Sequence, residues 1–164
     1  MMKRTGLVLA LVFAWLALGT THARVFDTEQ EYIRLYGANV NKGVPAPPPY
    51  KFAIYVKKKM RILVLFQSQV SQGELISKPT SRLLDGDVPG ILAANQGSSS
   101  WKKEQVELPK DQKAQQISMW SRADGKLFAA YVGSGPLPCL LIGTRKGGDF
   151  LIKEKDRLMA YVKD

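Results

Sequence analysis

The sequence predicts an α+β fold in which an antiparallel sheet of about six strands carries two short helices and a C-terminal helix. Three observations lead to this prediction. Two groups of three segments are alternating or continuously apolar, which is typical of strands. A short segment with helix-start signals precedes each group. The chain ends in a charged segment with an apolar stripe at helical spacing.

Residues 1–23 have the three parts of a secretory signal peptide. These are a basic start, an apolar run and a small-residue cleavage site, namely Met1 to Arg4, Leu7 to Leu18 and Thr21-His22-Ala23. The apolar run is too short to cross about 30 Å of hydrocarbon, so cleavage is favoured over the alternative, an uncleaved membrane anchor. No cysteine lies near the cleavage site, which disfavours a lipoprotein. We expect one exported domain, residues 24–164, that is periplasmic or secreted.

The first half of this domain predicts a helix followed by a three-stranded meander. The helix spans about residues 28 to 36, because Thr28 and Glu31 have the spacing of a capping box. A proline-rich connector follows it. The strands are centred near residues 54, 64 and 75, with a β-bulge at Gly73.

The second half repeats this order. Asp87 is predicted to cap a short helix that ends at Asn95, and Trp101 to cover the edge of the core rather than serve as a ligand platform. Strands centred near residues 119, 129 and 141 form the second meander. Asp124-Gly125 predicts a two-residue type I′ turn between the first two of these strands. The last helix is expected over residues 150–163.

The shared order makes residues 24–78 and 84–144 candidate repeats, although a meander can produce the same spacing without duplication. A repeat would give one continuous sheet with helices on one face and a concave binding surface on the other. Two separately packed meanders are the alternative.

The chain resembles a group of small secreted bacterial proteins of unknown activity. The resemblance covers most of residues 26–131, and its most specific part is Trp120-Ser121-Arg122-Ala123-Asp124-Gly125-Lys126. It implies export and supplies no catalytic residues. The helix-plus-meander topology is more distantly similar to the β-lactamase-inhibitor-like fold of small envelope assembly lipoproteins, from which this chain departs by lacking their lipidated cysteine.

Histidine and cysteine usage excludes several kinds of catalytic site. The single histidine, His22, lies in the segment expected to be removed, so a mature chain has no Ser-His-Asp triad, Cys-His pair or histidine zinc site. Cys139 lies in an apolar run and is predicted to be buried; an exposed thiol or an intermolecular disulfide is the alternative.

An enzyme would have to rely on Glu74, Asp124 or the Ser-x-x-Lys sequence that starts at Ser100. We interpret Asp124 as a turn residue and Glu74 as a solvent-facing strand residue. We therefore assign no catalytic residue, no cofactor and no metal site.

Basic residues are in excess, with 24 Lys and Arg against 14 Asp and Glu. Loss of Lys3 and Arg4 with the signal peptide would lower the net charge from +10 to +8. A positive surface favours anionic partners, although a solvated surface is the plainer interpretation. The residues expected in turns or loops, where they could form one basic edge, are Lys57, Lys58, Lys59, Arg61, Lys102, Lys103, Lys110, Lys113, Arg145 and Lys146.

These features predict an exported, non-enzymatic binding or envelope-associated module. It would contact an envelope protein or an anionic envelope component through a sheet face or the basic loops. Nucleic acid is not expected, because export separates the protein from it and no aromatic residues are interleaved with the basic runs. The alternative is a small extracytoplasmic hydrolase or transferase that uses carboxylate or Ser/Lys chemistry.

Overall fold

The computed structural model describes residues 24–40, 43–105 and 116–163. The signal-peptide prediction for residues 1–23, and Lys110 and Lys113, lie outside these ranges. The helices are α1 (Glu29–Tyr36), α2 (Val88–Ala94) and α3 (Arg145–Lys163). The strands are β1 (Tyr50–Lys57), β2 (Met60–Gln67), β3 (Val70–Ser77), β4 (Trp101–Glu104), β5 (Ile117–Arg122), β6 (Phe128–Val132) and β7 (Cys139–Gly143). No described helix is long and apolar enough to cross a membrane.

The strands form one antiparallel sheet in the order β1-β2-β3-β7-β6-β5-β4. This confirms the α+β class, and the two meanders join where β3 pairs with β7, with Leu75 opposite Leu141. The sheet has seven strands rather than about six. The additional strand, β4, pairs with β5 but contains two adjacent lysines in only four residues, so it has no apolar alternation to reveal it.

Helices lie on both faces of the sheet, so the expectation of one covered face is wrong. Tyr32 of α1 and Leu92 of α2 share a core with Ile62, Val64 and Phe66 of β2; we call this side the α1/α2 face. The intervening β2 residues belong to a second core with the apolar stripe of α3, on the α3 face. Because the β2 side chains on both faces of the sheet are apolar, each face must be covered.

The C-terminal helix begins at Arg145, earlier than the predicted residue 150. The hydroxyl of Thr144 accepts a hydrogen bond from Gly147 N (3.1 Å), and Thr144 N donates to Gln72 O (2.9 Å). A Cβ at Gly147 would lie 2.8 Å from the carbonyl carbon of Gln72 and still closer to its oxygen. Gly147 therefore allows α3 to pack closely against Gln72. Gln72 is the extra residue of a bulge next to Gly73, as predicted.

The starts of the two short helices differ from each other. At α1 both hydrogen bonds of the capping box are present, which confirms the prediction. Asp87 precedes α2 but does not cap it, because its own backbone is already helical (φ −80°, ψ −27°). Its carboxylate instead accepts hydrogen bonds from Leu84 N (2.9 Å) and Lys78 Nζ (2.7 Å).

Hairpin turns also depart from the sequence prediction. A type I′ turn joins its strands through two residues that both have positive φ. Between β5 and β6 only Gly125 has a positive φ (68°), and the connection spans residues 123–126. The two-residue turns with both φ values positive are instead Lys58 and Lys59, between β1 and β2, and Ser68 and Gln69, between β2 and β3.

Candidate functional site

The predicted basic residues do not form one edge. Lys57, Lys58 and Lys59 lie where β1 meets β2, whereas Lys102 and Lys103 lie within β4 rather than in a loop. Strands β1 and β4 are the opposite edges of the sheet, roughly 29 Å apart at about 4.8 Å per strand.

The other basic residues are also separate. Arg145 and Lys146 form the first turn of α3, not a loop, and follow β7 at the end of the sheet away from the β1–β2 turn. Arg61 lies within β2, opposite Val56. The basic residues therefore present several separate contacts rather than one surface.

Some of these cations are engaged within the fold. Lys57 Nζ donates to the carbonyl of Leu35 (3.0 Å) at the C-terminal end of α1. Lys103 Nζ lies 5.7 Å from the centre of the Trp120 ring, and the guanidinium carbon of Arg145 lies 5.0 Å from that of Phe128. These residues contribute to packing as well as to charge.

A candidate binding groove, hereafter the binding groove, lies on the α3 face. Helix α3 packs mainly on β3, β7, β2 and β6 and leaves a gap beside β5, β6 and β7. The volume of the groove is about 320 Å³. Its apolar floor and wall consist of Met119, Phe128, Ala130, Leu141 and Ile152, and its polar rim includes Glu104, Thr144, Arg145 and Asp149. Ile152, one of the residues in the apolar stripe predicted for the C-terminal helix, is 49% exposed beside the groove.

The rim of the binding groove carries charges of both signs. The Glu104 carboxylate accepts a hydrogen bond from the Ser121 hydroxyl, and the Arg145 guanidinium is held over Phe128. Asp149 lies on α3 next to them. An apolar floor with a charged rim can hold an apolar group whose neighbours are polar.

Glu74 is not a solvent-facing residue. It is 2% exposed on the α1/α2 face, where it forms a buried cluster with the Tyr32 hydroxyl and with Asn95 Nδ2, which donates to it at 3.3 Å. Burial raises the pKa of Glu74 to about 7, against the lowering effect of these hydrogen bonds. The prediction failed because α1 and α2 cover this face of β3.

The other candidate catalytic residues lie elsewhere. Asp124 is a turn residue, as predicted: it forms an ion pair with Arg122 (2.7 Å) and accepts a hydrogen bond from Lys126 N (3.0 Å). These hydrogen bonds, the Arg122 one first, lower the pKa of Asp124. Arg122 also donates to the Asn95 carbonyl (3.1 Å), so it lies in the chain of contacts between Asp124 and Glu74. Asp124 and Glu74 therefore do not form a facing pair of carboxyl groups.

Trp101 and Cys139 have the positions that the sequence predicts. Trp101 packs on the α1/α2 core, and its indole N–H donates to Leu92 O (2.7 Å). Cys139 is buried, and burial raises the pKa of its thiol to about 11, so the thiol is protonated at neutral pH. Among the described residues, no three His, Cys, Asp or Glu side chains are grouped as metal ligands.

Comparisons with known proteins found no match among protein-family models, curated proteins or solved structures. The binding groove and the buried Glu74 cluster were not predicted from the sequence. Met119, Phe128 and Ile152 were recognisable as apolar, but their exposure depends on how far α3 extends across the sheet.

Proposed function

We propose that this protein is an exported, non-enzymatic binding module that holds an apolar segment of an acidic envelope protein in the binding groove. The observation that supports this proposal best is the solvent-accessible apolar floor formed by β5, β6 and β7 beside α3. Its volume of about 320 Å³ falls within the usual range for ligand sites, roughly 300–1,000 Å³.

The groove offers enough apolar contact for a weak, specific interaction. Each large apolar side chain that a partner buries contributes about 1.5–3 kcal/mol before ordering costs. Three such anchors contribute about 4.5–9 kcal/mol before those costs are subtracted, so the apolar contacts alone give an affinity weaker than micromolar. Met119, Phe128 and Ile152 are the side chains against which such anchors would pack.

The charge of the chain favours an acidic partner. The net charge, +10 for the full chain and +8 once residues 1–23 are removed, accelerates encounter with an anionic surface. Close to the groove, Arg145 and Lys146 begin α3, and Lys102 lies on the same side of β4 as Glu104. Asp149 and Glu104 add negative charge on the rim, which would orient the bound segment.

The enzyme alternative has less support, since Glu74, Asp124 and Ser100 do not line the groove. Glu74 is inside the α1/α2 core, and Asp124 is held in a turn by Arg122. A binding role does not require Glu74, Asp124 and Ser100 to lie close together.

Two matched substitutions test the proposal. Ile152→Asp places a charge in the groove, and Ile33→Asp places the same charge on the exposed side of α1; the two isoleucines are 49% and 45% exposed. We expect Ile152→Asp to weaken binding of the aromatic anionic dye 1-anilinonaphthalene-8-sulfonate, and capture of one acidic protein from an envelope extract, by about tenfold or more. Ile33→Asp should bind both as the unmodified protein does.

Equal capture by both variants would contradict the groove as the contact site. A further variant, Lys58→Glu with Lys59→Glu, reverses the charge of the β1–β2 turn. It leaves Lys57 unchanged, so the contact of Lys57 with the C-terminal end of α1 is kept. Loss of capture in this variant alone, together with release at high salt, would assign the contact to the basic turn instead.

A further inference from the structure

Residues 24–27 form a tight turn in which the first backbone nitrogen contacts a carboxylate. Asp27 N donates to Arg24 O (2.9 Å), and Arg24 N donates to Asp27 Oδ2 (2.8 Å). Between them Phe26 has a φ of 84°, in the left-handed region. The nitrogen of Arg24 is thus fixed directly against an acidic side chain.

This turn is anchored in the α1/α2 core. Arg24 O is a hydrogen-bond acceptor for the hydroxyls of Tyr32 (3.1 Å) and Ser71 (3.2 Å). Val25, only 3% exposed, donates its N–H to Asn95 Oδ1 (2.8 Å). Phe26 N and Asp27 O then pair with the backbone of Ser71. The position of Arg24 N is therefore set by α1, β3 and α2 together.

Asp27 lies where burial and the neighbouring groups together disfavour its ionised form. Partial burial raises its pKa, and the nearby Glu31 carboxylate raises it further. The hydrogen bond from Arg24 N and the charges of the Arg24 and Arg34 side chains oppose this effect. Glu74 on β3 is a further carboxyl group nearby, whereas Asn95 and Ser71 are neutral. A full positive charge at Arg24 N would stabilise the Asp27 carboxylate more than the present amide does.

We propose that cleavage after Ala23 creates this charge, so that the new α-ammonium group of Arg24 forms an ion pair with Asp27. The inference rests on the proposed function, because it requires export and removal of residues 1–23. Hydrolysis of the Ala23–Arg24 peptide bond adds water across it, leaving a carboxylate on Ala23 and an ammonium group on Arg24. Processing would thereby strengthen the contact that seats the N-terminus in the core.

The first step of the test is N-terminal sequencing of the exported protein. A first residue of Arg24 supports the proposal, and any other first residue overturns it together with the predicted cleavage site. Protein beginning at Arg24 is then compared with the same protein acetylated on its α-amino group, which removes the charge and keeps the N–H. All described helices, strands and core residues lie within this processed chain.

We expect the free form to melt about 3 °C or more above the acetylated form at pH 6. The pKa of the α-amine should exceed its ordinary value of about 7.7–8.0. Because the folded pKa is raised, the advantage is complete below the unfolded value and disappears as the pH rises through the folded value. Asp27→Asn should make the free and acetylated forms melt together.

Equal melting temperatures in the unsubstituted protein at pH 6 would overturn the ion pair without affecting the cleavage result. A difference that persists in Asp27→Asn would also overturn it, since another group would then be the partner. If Asp27→Asn does not fold, the α-amine pKa of the unsubstituted protein, measured by nuclear magnetic resonance, decides the question. A pKa at or below about 8 excludes the pair.

Discussion

The two meanders differ in how completely their strands are covered. Strands β1, β2 and β3 have eight residues each, and their interiors are buried on both faces. Strand β5 of the second meander is half-buried along its whole length, and β4 beyond it has only four residues. The difference arises because α1 and α3 enclose the first meander, whereas in the second meander α3 packs mainly on the inner strands β7 and β6. The inner strands β6 and β7 of the second meander are buried like the first meander, so it is the outer strand β5 that supplies accessible apolar surface.

Truncating one apolar side chain in each meander should give the largest contrast. Leu63 on β2 is fully buried, so Leu63→Ala should lower the free energy of unfolding by about 2–5 kcal/mol. Met119 on β5 lies in the open groove, so Met119→Ala should cost less than about 1 kcal/mol. Urea denaturation of both variants measures the two values. Similar losses would show that the second meander is as tightly packed as the first.

The buried acid of the first meander should make stability depend on pH. Glu74 of β3 lies opposite Ile142 of β7. The first meander therefore has an ionisable residue where the second has an apolar one. The pKa of Glu74 is raised from 4.5 to about 7 by burial, so the unfolded chain ionises first as the pH rises. Stability is then complete below pH 4.5, falls up to about pH 7 by about 3 kcal/mol, and levels off above it.

Glu74→Gln should remove this pH dependence and raise stability at pH 8. The hydrogen bonds of the cluster support this expectation, because the Tyr32 hydroxyl has one proton and contacts two acceptors, Glu74 Oε1 and Arg24 O. A protonated Glu74, or a glutamine, donates to Tyr32 and leaves the tyrosine proton for Arg24. Urea denaturation from pH 4 to pH 8 tests this, and parallel profiles for the two proteins would exclude Glu74 as the titrating group.

The same comparison explains what the sequence could and could not predict. Strands of the first meander were predictable because continuous apolar runs such as Met60 to Phe66 have few other interpretations. The burial of Glu74 was not, because it depends on α1 and α2 packing over β3. The binding groove depends on the lateral position of α3, to which Met119 and Ile152 give no local signal. Periodicity predicts which elements form, whereas the contacts between them determine the site.

A smaller effect should separate two adjacent glycines of α3. Gly147 packs against Gln72 of the first meander, so the added methyl group of Gly147→Ala would clash with backbone and cost about 1–3 kcal/mol. Gly148 has no atom within 4 Å of its missing Cβ, so Gly148→Ala should stabilise the helix by about 0.5–1 kcal/mol. Thermal denaturation gives both signs. Destabilisation by Gly148→Ala would mean that the groove side of α3 is more closely packed than its geometry indicates.

The smallest expected effect concerns the hairpin turns, whose backbone conformations also differ between the two meanders. The first meander holds Lys58 and Lys59 in left-handed conformations (φ 48° and 67°), whereas the hairpin connections of the second meander have glycines, Gly125 and Gly135, at positive φ. A non-glycine residue in this region costs about 1–2 kcal/mol, and the flexibility of glycine in the unfolded chain offsets part of any gain. Lys59→Gly should therefore stabilise the protein by at most about 1 kcal/mol, measured by urea denaturation. It also removes one charge from the β1–β2 turn, so unchanged capture of the envelope partner would separate the stability of this turn from binding at the groove.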